Sequence, residues 1–554
     1  MLVHYSWYRI FRVRAHYLLA IIRMSTHTPY LRQFGKFLAA VLILAIPMAG
    51  SSAYAKKENA RIESSDENVT HLLNRITFGP RPGDIEYVKS VGINSFIEQQ
   101  LNPQSIPESK SVLDCVASSE LKRESNEDLL RLFKAVQDER AKINAQKALQ
   151  EAISAPYPPL APDRTPSPLS DMFNRAQKQF LLANLTRDLE SPRQLEAVME
   201  EFWFNHFNIF SGKEFDGLLI QSYEDEAIRP HVFGRFRDLL GATCHHPAML
   251  YYLDNSQNRA SPAGSSSGSS KVNENYAREL MELHTLGVDG GYSQNDVIEL
   301  ARILTGLTIA TYTPTKGLAQ ARNLLPAGAS GCYFNMKQHD MGDKVLLGHK
   351  IKGSGPQEIE EALDILANDP ATAHHICYQL AQYFLADDPP KHLVKKLVDR
   401  FTKTGGDIKA VLAELFHSDE FWDSKYYSAK FKTPLRYEVS VLRAANAHIE
   451  NADSLGGFLN QQGQRMYGCI TPDGYKNTRD VWMEPEALLQ RIEFALSIGS
   501  GKRKGVILPS LDANELEKSI GICTFSKSTL DTIEKAPNNL KAAAVFGSRE
   551  FMRY

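Results

Sequence analysis

Helix boundary signals recur between residues 356 and 450 and constrain the fold more than any other feature of the chain. Asp369-Pro370 and Asp388-Pro389 are each typical of a helix start, because aspartate caps free backbone N–H groups and proline fits the first turn. Thr404-Gly405-Gly406 is typical of a helix end, and Asp407 of the next start. The signals predict helices over residues 357–367, 370–386, 390–403 and 407–417, and another after Pro434. Because no strands alternate with these helices, the pattern favours a mainly α fold.

The remaining body of the chain is also predicted to be helical, with one exception. Residues 66–101 indicate two helices around a Gly-Pro-Arg-Pro-Gly corner, and residues 119–153 and 170–189 have the apolar spacing of helices. Alternating apolar residues and frequent glycine predict a small β-hairpin insertion near 330–352. The sequence therefore predicts a large multi-helix domain with one short β insertion.

Composition divides the chain into four kinds of segment. One large helical domain is predicted over residues 66–500, followed by a C-terminal extension over 501–554. The proline-rich segment 155–169 is predicted to be a polyproline-II-like linker or a strap over the surface. The serine- and glycine-rich segment 261–271 is predicted to be a flexible loop.

The first 55 residues have the features of a secretory signal. Residues 1–55 contain six basic residues and no acidic one, and an apolar run at 37–49 precedes Ala53-Tyr54-Ala55, a small-x-small cleavage sequence. The apolar run is shorter than the roughly 20 residues that a stable transmembrane helix needs. We expect a cleavable signal peptide and a periplasmic or extracellular product, with an uncleaved anchor as the alternative. Met1 and Met24 both remain possible start codons.

Charge and cysteine spacing exclude some classes of partner. Removal of residues 1–55 leaves 57 Lys and Arg against 65 Asp and Glu, a formal net charge of −8, which disfavours nucleic acid. None of the six cysteines forms a C-x-x-C motif, so a zinc knuckle is excluded on spacing. One or two disulfides are expected in an oxidising compartment, or several cysteines serve as small buried apolar residues.

Seven motifs occur in a fixed order along the chain. They are HLLNRITFGPRPGDIEYVKSVGINSFIEQQL (71–101), FWFNHFNIF (202–210), NENYARELMELHTLGVDGGYSQNDV (273–297), FNMKQHDMGDKVLLG (334–348), LAELFHSDEFW (412–422), KFKTPLRYEVSVLRA (430–444) and PDGY…W…LLQR (472–491). Together they resemble the domain of unknown function 1800 family (DUF1800), large exported bacterial proteins. The resemblance implies a bacterial source, one long helical domain and export. It implies no catalytic residues, because the family has no known activity.

The helix predicted over 273–286 carries the most concentrated polar chemistry. Asn275, Glu279 and Glu282 lie on one face, with Arg278 beside them. One interpretation is a solvated surface, on which each i,i+4 ion pair contributes only about 0.3 kcal/mol. The other is the wall of a polar site, in which Glu279 and Glu282 bind a divalent cation such as Ca²⁺ and Asn275 and Arg278 contact a substrate.

Two histidines are the candidate catalytic residues. Aromatic residues surround His206 in FWFNHF, so we expect a buried helix and a histidine that is either a base or ligand or a hydrogen-bonded core residue. His339 is followed by Asp340, a pair that could transfer protons or bind a metal, or could cap a turn.

Two functions follow from these residues. The first is an exported, cell-envelope binding or assembly protein with a polar helical site, whose partner is an envelope protein or a polysaccharide. It requires no stable membrane insertion after signal cleavage. The alternative is a metal-assisted periplasmic hydrolase that uses the Asn275, Glu279 and Glu282 face with His206 and His339. Convergence of these side chains on one cleft would favour the second.

Overall fold

Local capping side chains begin many helices at the predicted positions. The Asp369 side chain accepts a hydrogen bond from the Ala371 amide, and the Asp407 side chain accepts one from the Ala410 amide. Gly405 takes the left-handed conformation, with φ of 65°, that ends the preceding helix. The predicted helices that follow residue 356 are thereby confirmed to within a few residues at each end.

One predicted cap is wrong. The helix expected to start after Asp388 begins at Lys391, and Pro390 precedes it without a side-chain cap. The reason is local, because a residue that precedes proline is restricted to extended backbone. Pro389 precedes Pro390 and is therefore kept out of the first helical turn.

The computed structural model describes residues 62–122, 124–154, 168–213, 215–260, 272–309, 325–326, 330–509, 513–521 and 525–554. Within these ranges there are 23 α-helices, which confirms the mainly α fold. In chain order they are α1 (Asp66–Ile76), α2 (Asp84–Val91), α3 (Ile93–Gln100), α4 (Lys110–Ala117), α5 (Asn126–Ser154), α6 (Pro168–Glu190), α7 (Gln194–His206), α8 (Asp216–Ser222), α9 (Phe236–Cys244), α10 (Pro247–Tyr252), α11 (Asn275–Glu282), α12 (Gln294–Ile303), α13 (Gln357–Asn368), α14 (Pro370–Phe384), α15 (Lys391–Thr404), α16 (Ile408–Phe416), α17 (Pro434–Ala444), α18 (Asp453–Gln461), α19 (Arg479–Trp482), α20 (Pro485–Gly499), α21 (Ala513–Ser519), α22 (Lys527–Lys535) and α23 (Lys541–Phe546).

Strands in the described ranges form three small antiparallel sheets of two strands each. The pairs are β1 (Leu307–Ile309) with β2 (Cys332–Phe334), β3 (Lys344–Leu346) with β4 (His349–Ile351), and β5 (His448–Ile449) with β6 (Val506–Ile507). The β3–β4 hairpin confirms the predicted insertion. The β1–β2 and β5–β6 pairs join segments that are distant in sequence, which the hairpin signal alone does not indicate.

The C-terminal residues pack onto the helical domain. Glu63–Tyr554 form one compact unit. The Tyr554 and Lys430 backbones exchange two hydrogen bonds of 3.0 Å, and the Tyr437 hydroxyl donates to the Phe546 carbonyl oxygen at 3.1 Å. The segment 501–554, predicted as an extension, thus shares the core of α17 and α20.

Helix α11 is shorter than the predicted span of 273–286. The spacing of its hydrogen bonds changes at the C-terminal end. The His284 amide donates to the Glu279 carbonyl oxygen, five residues earlier, and the Thr285 hydroxyl donates to the Leu280 carbonyl oxygen. The turn then reaches Gly287, whose φ of 87° suits glycine. The capping box of Ser293 and Asp296 begins α12 as predicted.

The five described cysteines are free, so the expected disulfides are wrong for them. Cys244, Cys332, Cys377 and Cys469 are buried, which fits the alternative that they fill apolar space. The predicted signal peptide, the loop at 261–271 and residues 155–167 of the proline-rich segment lie outside the described residues, and residues 168–169 begin α6. No helix within the described ranges has the length and apolar character needed to cross a bilayer.

Candidate functional site

His206 lies at the C-terminal end of α7, where the surrounding aromatic residues bury it as predicted. The residue is 8% exposed. Its Nδ1 lies 2.8 Å from Gln379 Oε1, and its Nε2 lies 3.1 Å from the His284 carbonyl oxygen. Burial lowers the pKa of His206 to about 3, so the ring is neutral at pH 7. The ring can exchange hydrogen bonds but carries no charge.

Two further histidines surround this ring. The His284 and His375 ring centroids lie 6.1 Å and 6.2 Å from that of His206. Burial lowers the pKa of both imidazoles, and their histidine neighbours lower it further. Within the described part of the chain, His284 Nε2 has no hydrogen-bond partner. Of the three histidines, His206 and His375 line a neighbouring cavity.

A cavity of about 230 Å³ borders His206. We name it the histidine cavity. Its wall is rich in side chains that both donate and accept hydrogen bonds, mixed with carboxylates and aromatic rings. These groups are the amides Asn205, Gln379, Gln382, Gln464 and Asn477, the carboxylates Glu201, Glu282 and Asp473, and the aromatic rings Phe202, Tyr383 and Tyr475. Lys476, which pairs with Asp473, also lines the cavity, so its surface is polar and carries both charged and uncharged groups.

Two of the seven motifs meet at this cavity through Asn205. The Asn205 amide nitrogen donates to the Tyr475 carbonyl oxygen at 2.8 Å, and its Oδ1 accepts from the Tyr475 amide at 2.7 Å. Gly474 has φ of 67°, and a Cβ placed on it would lie 2.2 Å from the Asn205 carbonyl oxygen. Asn208 binds the same loop by donating to the Cys469 and Thr471 carbonyl oxygens. FWFNHFNIF therefore holds the PDGY loop in place, and glycine is required at the contact.

Glu282 is the member of the predicted polar face that reaches the histidine cavity. It lies at the end of α11, is half-buried, and accepts a hydrogen bond of 3.1 Å from the Tyr292 hydroxyl. Glu279 lies one turn earlier. Burial, and then the neighbouring Glu282 charge, raise the pKa of Glu279. Among the described residues, no hydrogen bond or ion pair engages the Glu279 carboxylate.

Asn275 and Arg278, predicted to contact a substrate, are engaged by protein groups. The Asn275 amide donates to the Leu253 carbonyl oxygen at 3.2 Å. Arg278 bonds Glu274 at 3.1 Å and Gln294 at 3.0 Å, which joins α11 to the start of α12. Neither residue lines the histidine cavity. The positions of Asn275 and Arg278 on α11 are therefore those expected if this helical face is a solvated surface.

His339 and Asp340 lie in a different, closed environment. His339 Nδ1 bonds the Thr305 carbonyl at 2.7 Å, and its Nε2 bonds Glu358 at 3.0 Å. Lys344 completes the ion pair with Glu358, and we name these three buried side chains, His339, Lys344 and Glu358, the closed cluster. Asp340 forms a two-bond ion pair with Arg302. None of these groups lines the histidine cavity, so the structure does not bring His339 and Asp340 to His206 and Glu282.

A second cavity, of about 70 Å³, shares four lining residues with the histidine cavity. We name it the carboxylate cavity. The shared residues are Glu201, Asn205, Gln464 and Tyr475. Its own carboxyl groups belong to Asp188 on α6, Glu200 on α7 and Glu224.

Glu224 lies on a π-helical turn, Tyr223–Ile228, that continues α8. Such turns frequently occur at functional sites. Its carboxylate accepts from the Asn184 amide at 3.0 Å and from the Tyr467 hydroxyl at 2.8 Å. Burial, and then the Glu200 charge, raise the pKa of Glu224 to about 8. The group therefore retains its proton near neutral pH.

Sequence reasoning missed Asp188, Glu201, Glu224 and Gln379. One signal was present, because Glu200 and Glu201 directly precede the aromatic run of α7, and two acids on a helix that must be buried require partners. The others come from distant segments that carry no local pattern.

The residues predicted to bind a metal do not form a complete set. Glu279 and Glu282 were expected to bind a divalent cation. Within the described ranges, no group of three or more His, Cys, Asp or Glu side chains is arranged to hold a metal ion.

Comparison with known proteins gives one match. A family model described as a protein of unknown function (DUF1800) matches residues 71–553. No curated protein and no solved structure matches the chain. The family match begins at the first of the seven motifs, extends beyond the last, and covers every residue that lines the two cavities. The chain therefore belongs to the DUF1800 family of proteins of unknown function.

Proposed function

We propose that this protein is an exported cell-envelope protein that binds a hydroxyl-rich ligand, a polysaccharide, in the histidine cavity. The observation that carries the proposal is the lining of that cavity, where aromatic rings lie beside three carboxylates and four side-chain amides other than Asn205, whose amide is engaged by Tyr475. A sugar hydroxyl both donates and accepts hydrogen bonds, and amides offer both functions from one side chain. The aromatic rings offer the flat apolar surface on which a sugar ring packs.

The state of His206 fits binding of an uncharged ligand. With a pKa of about 3, the ring adds no positive charge to the cavity at neutral pH. The neutral ring has one N–H, so it can donate to only one of its two neighbours, Gln379 Oε1 and the His284 carbonyl oxygen. Through its contact with His206, the Gln379 amide, which itself lines the cavity, is held in place. His206 thereby acts as a positioning residue in this proposal.

Export is supported by the sequence of residues 1–55, with its basic start, short apolar run and Ala53-Tyr54-Ala55 cleavage sequence. Expression in a bacterial host followed by fractionation and N-terminal sequencing tests this part. We expect a periplasmic or secreted chain that begins at Lys56. A cytoplasmic chain with an intact N-terminus would contradict it.

The alternative function, a metal-assisted hydrolase, has less support. It needs Glu279, Glu282, His206 and His339 in one cleft, and only Glu282 and His206 share a cavity. Binding therefore remains the function that the geometry favours.

Calorimetric titration with neutral oligosaccharides tests the binding proposal. The probes are cello-oligosaccharides and chitin oligosaccharides, which carry many hydroxyls and no charge. We expect at least one of them to bind, and Glu282→Gln to weaken binding about tenfold, since one charge-assisted hydrogen bond contributes about 1.5–3 kcal/mol. Asp289→Asn is the matched control, because Asp289 is exposed seven residues later and does not line the cavity. Equal weakening by both variants, or no binding of either probe, would contradict the proposal.

A further inference from the structure

One carboxyl group in the carboxylate cavity, that of Asp188, accepts no hydrogen bond from any described residue, although the nearby Arg187 charge acts to lower its pKa. Asp188 lies on α6 and is 8% exposed. In the part of the chain that the structure describes, no hydrogen bond or ion pair engages its side chain, which lines the cavity wall. Burial, and then the Glu200 charge, raise its pKa well above the usual value. A buried polar group without a partner is costly, so such a group indicates a missing ligand.

Two of the three nearby guanidinium groups, those of Arg187 and Arg229, are engaged by other residues. Arg187 donates to the Asn184 side-chain oxygen at 2.6 Å. Arg229 pairs with Glu200 and Asp225. Arg465 also lines the cavity, so four carboxyl groups in the wall face two guanidinium groups. The carboxyl groups are those of Asp188, Glu200, Glu201 and Glu224, and the guanidinium groups are those of Arg187 and Arg465.

The rest of the wall suits a small cation. Aromatic rings of Phe204, Tyr467 and Tyr475 line the cavity beside the carboxyl groups, and ring faces attract ammonium groups. The volume of about 70 Å³ is sufficient for such a group, since about 10–15 Å³ measured the same way holds a water molecule. A neutral hydroxyl would not stabilise the ionised form of Asp188 as an ammonium group does.

We propose that the carboxylate cavity binds the ammonium group of an amino sugar whose hydroxyls occupy the histidine cavity. The inference rests on the proposed function, because the four shared lining residues connect the two cavities into one surface. Asp188 receives the ammonium group, and the rings of Phe204 and Tyr467 lie beside it. The contact with Asp188 would make the protein bind a glycan with an amino group more tightly than a neutral glycan.

Proton release is the second expected property of this site. Burial raises the pKa of Glu224 to about 8, so this carboxyl holds a proton at neutral pH, and burial also raises the pKa of Asp188. An ammonium group stabilises the ionised carboxylate, so binding releases a proton to the buffer. Titration in two buffers with different ionisation enthalpies measures that release.

The test compares a matched pair of probes on the purified chain. Glucosamine oligosaccharides and their N-acetylated counterparts have the same length and linkage, and differ in the ammonium group. We expect the glucosamine probe to bind at least tenfold more tightly, with proton release. Asp188→Asn should remove that preference, so that the two probes bind the variant with about equal affinity.

Three outcomes overturn the inference. Equal affinity for the two probes overturns the ammonium assignment and leaves the glycan proposal standing. Binding of trilysine as tightly as the glucosamine probe assigns the site to a peptide amine instead. Failure of both glycans to bind overturns the glycan proposal as well. If Asp188→Asn does not fold, the wild-type affinity ratio and proton release still decide between these results.

Discussion

The closed cluster and the carboxylate cavity each contain a buried glutamate, but the pKa of the glutamate is lowered in the first and raised in the second. In the closed cluster, Glu358 accepts hydrogen bonds from His339, Lys344 and two backbone amides. Burial alone would raise its pKa, yet these bonds lower it to about 2. In the carboxylate cavity, burial raises the pKa of Glu224 to about 8, and Asp188 has no described partner. Burial alone therefore does not set the pKa of these carboxyl groups, and the donors that surround each one decide the direction of the shift.

The largest expected effect is loss of the closed cluster. Glu358→Ala leaves the buried Lys344 ammonium without its counterion, and breaking a buried pair in this way costs about 3–5 kcal/mol. We expect that decrease in the free energy of unfolding, measured by urea denaturation. Asp399→Ala in the exposed Lys395 pair is the control, with a change of at most about 0.5 kcal/mol. A loss below about 1 kcal/mol for Glu358→Ala would show that the cluster is not a structural unit.

Next in size is the contact between the PDGY loop and α7. Gly474→Ala adds a Cβ that would overlap the Asn205 carbonyl oxygen, and also strains a left-handed backbone by about 1–2 kcal/mol. Gly463→Ala carries the strain alone, since φ is 78° and no atom lies within 4 Å of the added Cβ. We expect Gly474→Ala to lower the melting temperature more than Gly463→Ala does. Equal decreases would mean that the loop contact contributes nothing.

The two buried glutamates should also give stability profiles of opposite slope, each at most about 1.4 kcal/mol per pH unit. Glu358 has a folded pKa of about 2, below the ordinary 4.5, so its contribution is complete above pH 4.5 and is lost as the pH falls towards 2. Glu224 has a folded pKa of about 8, so its contribution is complete below pH 4.5 and is lost as the pH rises through 8. Urea denaturation across this pH range should show that Glu358→Gln flattens the acid slope and Glu224→Gln the neutral one. If the free energy of unfolding depended on pH in the same way in both variants, the opposite pKa shifts of the two glutamates would be refuted.

The smallest effect on stability is expected at the cavity wall. Glu282→Gln keeps an oxygen that can accept the Tyr292 hydrogen bond, and the residue is half-buried. We expect a change within about 0.5 kcal/mol in the free energy of unfolding, as for surface substitutions generally. Thermal unfolding with and without the neutral oligosaccharide should show a ligand-induced stabilisation that the variant loses. A variant that unfolds as readily as Glu358→Ala would place Glu282 among the structural residues.

The sequence predicts the helices well because their signals are local. Asp369, Asp407 and the Ser293–Asp296 pair cap helices within three residues of themselves, so no distant contact is needed. The wrong cap at Asp388 also has a local cause, because the second of two consecutive prolines, Pro390, keeps Pro389 out of the helix.

The site is harder to predict because its parts are far apart in sequence. His206 bonds Gln379, which lies 173 residues away, and Asn205 holds Tyr475 across 270 residues. Glu282 was identified because charged residues concentrate on α11. His339 and His206 have similar sequence signals, and only their three-dimensional partners distinguish a closed ion cluster from a cavity wall.

Hydrogen–deuterium exchange with the bound oligosaccharide tests the central claim most directly, since it locates the ligand without any substitution. The account predicts slower exchange in residues 282–288 and 471–477, which border the histidine cavity, and unchanged exchange in residues 339–358 around the closed cluster. Protection confined to other segments, or a bound ligand that protects residues 339–358 instead, would contradict it.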